Sequence, residues 1–194
     1  VEVVLDRTPF YAEMGGQVGD TGTLEGEGVS VEVTDTKAHN GLYAHTAKVV
    51  EGALAVGDTL VAAIDAHRRE LIRRNHTATH LLDAALKQVL GDHVSQAGSL
   101  VDDERLRFDF THFEACTAEQ LHEVEDLVNV EIFAAKPVVT AVMGIEEAKA
   151  SGAVALFGEK YGDVVRVVSA GTEDKPFSRE LCGGTHARNT AELG

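Results

Sequence analysis

Four residues of metal-ligand type stand in two pairs, His76 and His80 in "HTATH" and Cys182 and His186 in "CGGTH". On a helix, residues four apart lie one turn apart on the same face, so the imidazoles of His76 and His80 can point at a single atom. Taken alone, such a pair is also met as two solvated polar residues on an exposed face. The zinc-protease signature is excluded, because Thr77 stands where that mechanism needs a glutamate. Gly183 and Gly184 forbid a stable helix between Cys182 and His186, so this spacing describes a tight loop. The bland alternative is a glycine turn beside a buried free cysteine. Together the two pairs offer one thiolate and three imidazoles, a set suited to tetrahedral Zn²⁺. Four protein ligands would make a closed structural site, and three plus water a catalytic one; both stay open.

The helix carrying the first pair is well marked. Ala66 to Leu90 contains no Gly or Pro and stops at Gly91, a C-cap residue. Projected at about 100° per residue, Leu71, Ala78, Leu82, Ala85 and Val89 fall on one side, which is expected to face the core. Arg69, Arg73, His76 and His80 form a stripe on the other side, flanked by Arg68 and Arg74. Before this helix, "VEVVL", "VSVEVTDT", "LYAHTAKVV" and "TLVAAID" read as strands separated by Gly-rich turns. Residues 1–65 are therefore expected to form a small antiparallel β-barrel. After it, "VSQAGSLV" and "RLRFDF" read as paired strands. A second helix is capped by Thr117 and Gln120 in a capping box and ends before Pro137. "VVTAVM" and "VVRVVS" are further strands about a Gly-rich segment. Residues 66–194 are thus expected to form a helix-on-sheet core, and the whole chain to be α+β.

Composition narrows the function. A net charge of -15 argues against gripping nucleic acid by bulk electrostatics, so such a role needs a local basic patch or affinity supplied by other parts of the molecule. No stretch approaches the roughly 18 to 20 apolar residues that span a bilayer, so no membrane partner is expected. Two cysteines are too few for a disulfide framework, and no secretory signal opens the sequence; both point to the cytoplasm. The abrupt strand at the start and the turn-rich finish suggest a piece excised from a longer chain.

"NHTATHLLDAAL", "HVSQAGSLV", "ALFGEKYGDVVRVVS" and "ELCGGTH" resemble the editing domain of bacterial alanyl-tRNA synthetase. "LDRTPFYAEMGGQVGDTG" resembles the segment before that domain, which is shared with free-standing editing proteins. A more distant resemblance is to the threonyl-tRNA synthetase editing module. The resemblance implies hydrolysis of mischarged Ser-tRNA(Ala) and Gly-tRNA(Ala), without aminoacylation by these residues. It implies a zinc and catalytic set of His76, His80, Cys182 and His186, with zinc polarising the ester carbonyl, orienting the substrate or activating water. It places Gln96 in the amino-acid pocket, where an amide can read a seryl hydroxyl; without the resemblance Gln96 reads as a surface strand residue. Gly183 and Gly184 would give substrate room beside the metal.

The chemical need for such an activity is independent of the family. One methyl in a hydrophobic pocket is worth only about 1–3 kcal/mol, so a synthetic site needs a second, hydrolytic sieve. Arg69 and Arg73, with Arg68 and Arg74, would then hold phosphates of the tRNA acceptor end, or else pair with surface carboxylates. The "GGQ" of Gly15, Gly16 and Gln17 matches a tripeptide used in peptidyl-tRNA hydrolysis. Its place in a turn favours structural or substrate-proximal support over a second catalytic centre. The rival readings are a free-standing trans-editing deacylase, a zinc-stabilised tRNA-binding module without catalysis, and an unrelated zinc esterase.

Overall fold

The computed structural model describes residues 1–155, 161–172 and 174–194. Part of the stretch ALFGEKYGDVVRVVS, residues 156–160, lies outside them. Five strands open the chain: β1 (Glu2–Val4), β2 (Gly22–Gly26), β3 (Val29–His39), β4 (Leu42–Glu51) and β5 (Val61–Ile64). They form one antiparallel sheet in the order β1-β4-β3-β2-β5. The period of two in β3 turns Val29, Val31 and Val33 inward, where Leu24 stands opposite Val31 and Phe10 and Ala47 complete a core. Each such side chain contributes about 1.5–3 kcal/mol on full burial. Among the described residues no ladder joins β1 to β5, so the arrangement seen is a sheet with two edges; closure into the expected barrel is not seen.

Helix α1 spans Ala66–Leu90, as the sequence predicts. Asp65 caps its start by accepting from the Arg68 amide, and Gly91, at φ 110°, ends it with its N–H on the Lys87 carbonyl. Strands β6 (Gln96–Val101) and β7 (Leu106–Phe110) pair antiparallel. Helix α2 (Ala118–Phe133) carries the predicted capping box of Thr117 and Gln120. Its Val124 packs in one cluster with Ala85 and Leu86 of α1 and with Val94 of the loop that follows α1. A second sheet, ordered β10-β9-β8, is built from β8 (Val138–Gly144), β9 (Val164–Gly171) and β10 (Pro176–Leu181). A short helix α3 (Ile145–Ala150) covers it, burying Ala148 against Val165, Val167 and Leu181. The α+β class therefore holds, while β2, β10 and α3 were not anticipated.

The expected core face of α1 is seen in part. Ala85 is buried, and half-buried Leu82 and Val89 pack in the same cluster, whereas Leu71 and Ala78, also half-buried, do not join it. The polar side is covered as well, and Arg69, His76, Thr77, Thr79, His80 and Asp83 are all buried. An amphipathic projection assumes that polar residues face water. Here they face other polar residues brought up from both ends of the chain, and hydrogen bonds offset their desolvation.

Candidate metal centre

Three segments meet at the middle of α1. The helix supplies His76, Thr77 and His80, the loop after β10 supplies Cys182 to His186, and the turn Met14–Gln17 supplies Gln17. That turn is closed by mutual backbone hydrogen bonds between Met14 and Gln17 (3.2 and 3.1 Å), with Gly15 and Gly16 at φ 60° and 86°. Two consecutive positive φ values mark a type I′ hairpin turn, which is why two glycines stand there. A Cβ on Gly16 would also lie 2.7 Å from the Ser99 carbonyl oxygen of β6. Backbone bonds from Val18 N to Val101 O (3.1 Å) and from Val101 N to Gly16 O (2.8 Å) dock the turn on that strand.

One ligand atom from each of His76, His80, Cys182 and His186 can be chosen so that all lie within 4.8 Å of one another. Cys182 Sγ is 3.4 Å from His76 Nε2 and 3.2 Å from His186 Nε2. Zn–S and Zn–N bonds of roughly 2.3 and 2.0–2.1 Å at tetrahedral angles imply S–N edges of roughly 3.5 Å. The donor set and its spacing fit a metal ion.

The other imidazole nitrogens are held from behind. His76 Nδ1 is 2.7 Å from Gln17 Oε1, and His186 Nδ1 is 3.2 Å from Thr77 Oγ1. His80 Nδ1 lies 2.8 Å from Glu180 Oε2, an ion-pair contact without an aligned hydrogen bond. Such outer partners fix ring orientation at metal sites. Glu180 itself accepts from Ser178 Oγ at 2.9 Å.

Electrostatics follow from this packing. Burial opposes ionisation of the Cys182 thiol, yet its contacts with His186, His76 and His80 hold it well below the ordinary cysteine range. Burial also opposes protonation of His80, and the Glu180 carboxylate overcomes it, holding His80 well above its usual value. Glu180 is lowered against its own burial by the same pairing. His186 is pushed down to about 3, first by burial and then by the nearby charges of His76 and His80, against the pull of Cys182.

His76, His80 and Cys182 open onto a cavity of about 230 Å³, with Gln96, Ser99 and Phe108 on its walls. His186 stands behind them against Thr77. Gly183 and Gly184 also line the cavity, and Arg166 donates to the carbonyls of both (2.6 and 3.1 Å), which fixes the loop. A Cβ on Gly184 would overlap the His76 ring and lie 2.9 Å from Gln17 Oε1, so the close approach there requires glycine.

All four metal-type residues, Gln96 and the two glycines thus converge at one place. The arginines behave otherwise. Arg69 is buried and bonds Asp20 through both Nε (2.8 Å) and a terminal nitrogen, and it donates to Pro9 O. Arg73 pairs with Glu70, and Arg68 with Asp103 at 2.9 Å. Carboxylate pairing, the alternative weighed for these residues, is what the structure shows at all three; Arg74 is exposed. Sequence alone marks Thr77 only as excluding a zinc protease and does not single out Glu180. Glu180 was findable, because it stands two residues before Cys182 at the end of a strand and so shares its face.

Comparison with known proteins first defines a class. Residues 1–68 match the family described as class II (A) tRNA synthetases, and residues 165–194 match the second additional domain of threonyl and alanyl tRNA synthetases. The chain is also 56% identical over 192 residues to alanine–tRNA ligases of the Corby, Lens and Paris strains of Legionella pneumophila. That similarity covers 99% of this chain and 22% of each relative. The chain is thus similar to a segment of alanine–tRNA ligases, and its last residues to the second additional domain of threonyl and alanyl tRNA synthetases.

Proposed function

We propose that this segment removes seryl and glycyl groups from mischarged tRNA(Ala) by ester hydrolysis, as the editing part of an alanyl-tRNA synthetase in the cytoplasm. The observation that carries the reading is the opening of the Cys182, His76 and His80 donors onto a cavity that also holds the Gln96 amide. A metal-donor cluster alone fits a structural site; one that faces a cavity with a polar reader fits a reaction on a small acyl group.

In this reading His76, His80, Cys182 and His186 hold Zn²⁺, which when bound supplies Lewis-acid and water-activating chemistry. Gln17, Thr77 and Glu180 orient the three imidazoles. Gln96 accepts or donates a hydrogen bond to the seryl hydroxyl. An alanyl methyl would take the place of the water that hydrates that amide and return no hydrogen bond, whereas glycine leaves the water room; an unpaired amide costs about 1–3 kcal/mol when fully buried. Gly183 and Gly184 keep the loop free of side chains where the ester enters. The remaining synthetase chain supplies most of the tRNA affinity, consistent with a net charge of -15 here.

The test is deacylation of Ser-, Gly- and Ala-tRNA(Ala) at high substrate concentration, with and without chelator and with Cys182→Ala. The expected result is release of serine and glycine, sparing of alanine, and loss of activity in both controls. Equal release of all three amino acids, or full activity in Cys182→Ala, would overturn the assignment. Binding of tRNA without deacylation would mark a non-catalytic module.

A further inference from the structure

The glycine-rich turn of the N-terminal segment reaches the donor cluster through one fully buried amide, Gln17. Its Oε1 accepts from the Thr185 backbone N–H at 2.9 Å, and its Nε2 stands 3.0 Å from Thr185 Oγ1. A backbone N–H can only donate, so the oxygen of this amide is assigned by its partner. The same oxygen lies 2.7 Å from His76 Nδ1. Two acceptors cannot share that contact, so Nδ1 carries a proton, whatever the state of Nε2. His76 then presents Nε2 to Cys182.

We propose that Gln17 is a positioning residue of the metal centre, holding His76 with Nδ1 protonated and Nε2 turned to Cys182 while tying the Gly183–Thr185 loop to α1. It touches neither substrate nor metal and acts through His76. The inference rests on the reading that the four donors bind a metal. It also makes the centre depend on a residue far outside the 165–194 match to the additional domain. The turn and the loop are 168 residues apart in sequence, so the bond also closes the N-terminal segment onto the site. No other side chain among the described residues is seen to bond His76 Nδ1, which leaves its removal uncompensated.

The test uses the 194-residue chain with Gln17→Leu and Gln17→Glu. Long-range proton–nitrogen NMR of His76 in metal-free and zinc-loaded wild type is expected to show Nδ1 protonated in both. Titration with Co²⁺ and Zn²⁺, read by the cobalt absorption bands and by competition with a chelator, is expected to show binding weakened about 10–100-fold in Gln17→Leu. Gln17→Glu, whose carboxylate accepts from both donors, is expected to restore most of the affinity. If wild type binds neither metal, the metal reading fails, and the metal-free spectrum still decides the proton on Nδ1. If wild type binds and folded Gln17→Leu binds equally well with unchanged cobalt bands, the positioning role is overturned. Should Gln17→Leu not fold, as read by circular dichroism, an unprotonated Nδ1 in wild type or failure of a folded Gln17→Glu to bind overturns it.

Discussion

Asp20 and Arg69 form a buried ion pair that fastens the N-terminal segment to the first turns of α1. Both Asp20 carboxylate oxygens take guanidinium hydrogen bonds, and the Tyr11 amide adds a third at 2.6 Å. Such a pair is costly to bury and more costly to halve, because removing one partner strands the other charge away from water. Arg69→Ala is expected to destabilise the chain by about 3–5 kcal/mol, and the apolar double variant Asp20→Leu/Arg69→Met by much less. Urea unfolding of the three proteins checks this. A loss below about 1 kcal/mol in Arg69→Ala would place the pair among weak surface bridges.

Acid sensitivity should trace to His186. Its folded pKa of about 3 lies below the ordinary 6.5, so between these values the unfolded chain binds a proton that the folded chain does not. Stability therefore falls as pH drops from 6.5 towards 3, at up to about 1.4 kcal/mol per pH unit for this one group. Glu180, also lowered, adds to the fall below its ordinary 4.5, whereas Asp83, raised by burial and by the Glu180 charge, works in the opposite sense above 3.8. Comparing metal-free wild type with His186→Asn isolates the histidine. The urea midpoint of wild type should drop more steeply between pH 6.5 and 4.5, and parallel curves would contradict the assignment.

The two loop glycines should separate by position. Ala at 184 overlaps the His76 ring and presses on Gln17 Oε1, whereas a Cβ at 183 meets no atom within 4 Å. Gly184→Ala is expected to weaken Co²⁺ binding at least about tenfold by displacing His76. Gly183→Ala should leave binding unchanged and act only on what enters the cavity. Equal cobalt affinities for the two variants would show that the loop yields to the added methyl.

The legible parts of this chain were those where local chemistry decides. Gly91 and the Thr117–Gln120 box fixed two helices through groups within a turn of each other, and the "HTATH" spacing placed two imidazoles on one face by helix geometry alone. The role of Gln17 was not legible, because its partners lie 59 and 168 residues away and no period links them. The burial of the polar stripe of α1 was not legible for the same reason: Arg69 looks like a solvent-facing cation until Asp20 is brought to it. Glu180 sits between these cases, since the alternation of a strand would have put it beside Cys182 had β10 been recognised.

Gln96 is the residue on which selectivity should turn. It opens β6 opposite Phe110, half-buried, and its side chain faces the cavity shared with His76, His80 and Cys182. A neutral hydrogen bond to a seryl hydroxyl contributes about 0.5–1.5 kcal/mol, which corresponds to roughly 2–12-fold in kcat/KM. Gln96→Ala is therefore expected to slow hydrolysis of Ser-tRNA(Ala) by about that factor and to leave Gly-tRNA(Ala) much less affected, because glycine has no hydroxyl to lose. It should also admit Ala-tRNA(Ala) more readily, since the alanyl methyl no longer displaces water from an amide it cannot pair, a cost that glycine never incurs. Parallel deacylation of the three substrates, with Co²⁺ affinity measured alongside, checks the claim. A uniform fall for all three with unchanged metal binding would move Gln96 from reading the amino acid to holding the ester that they share.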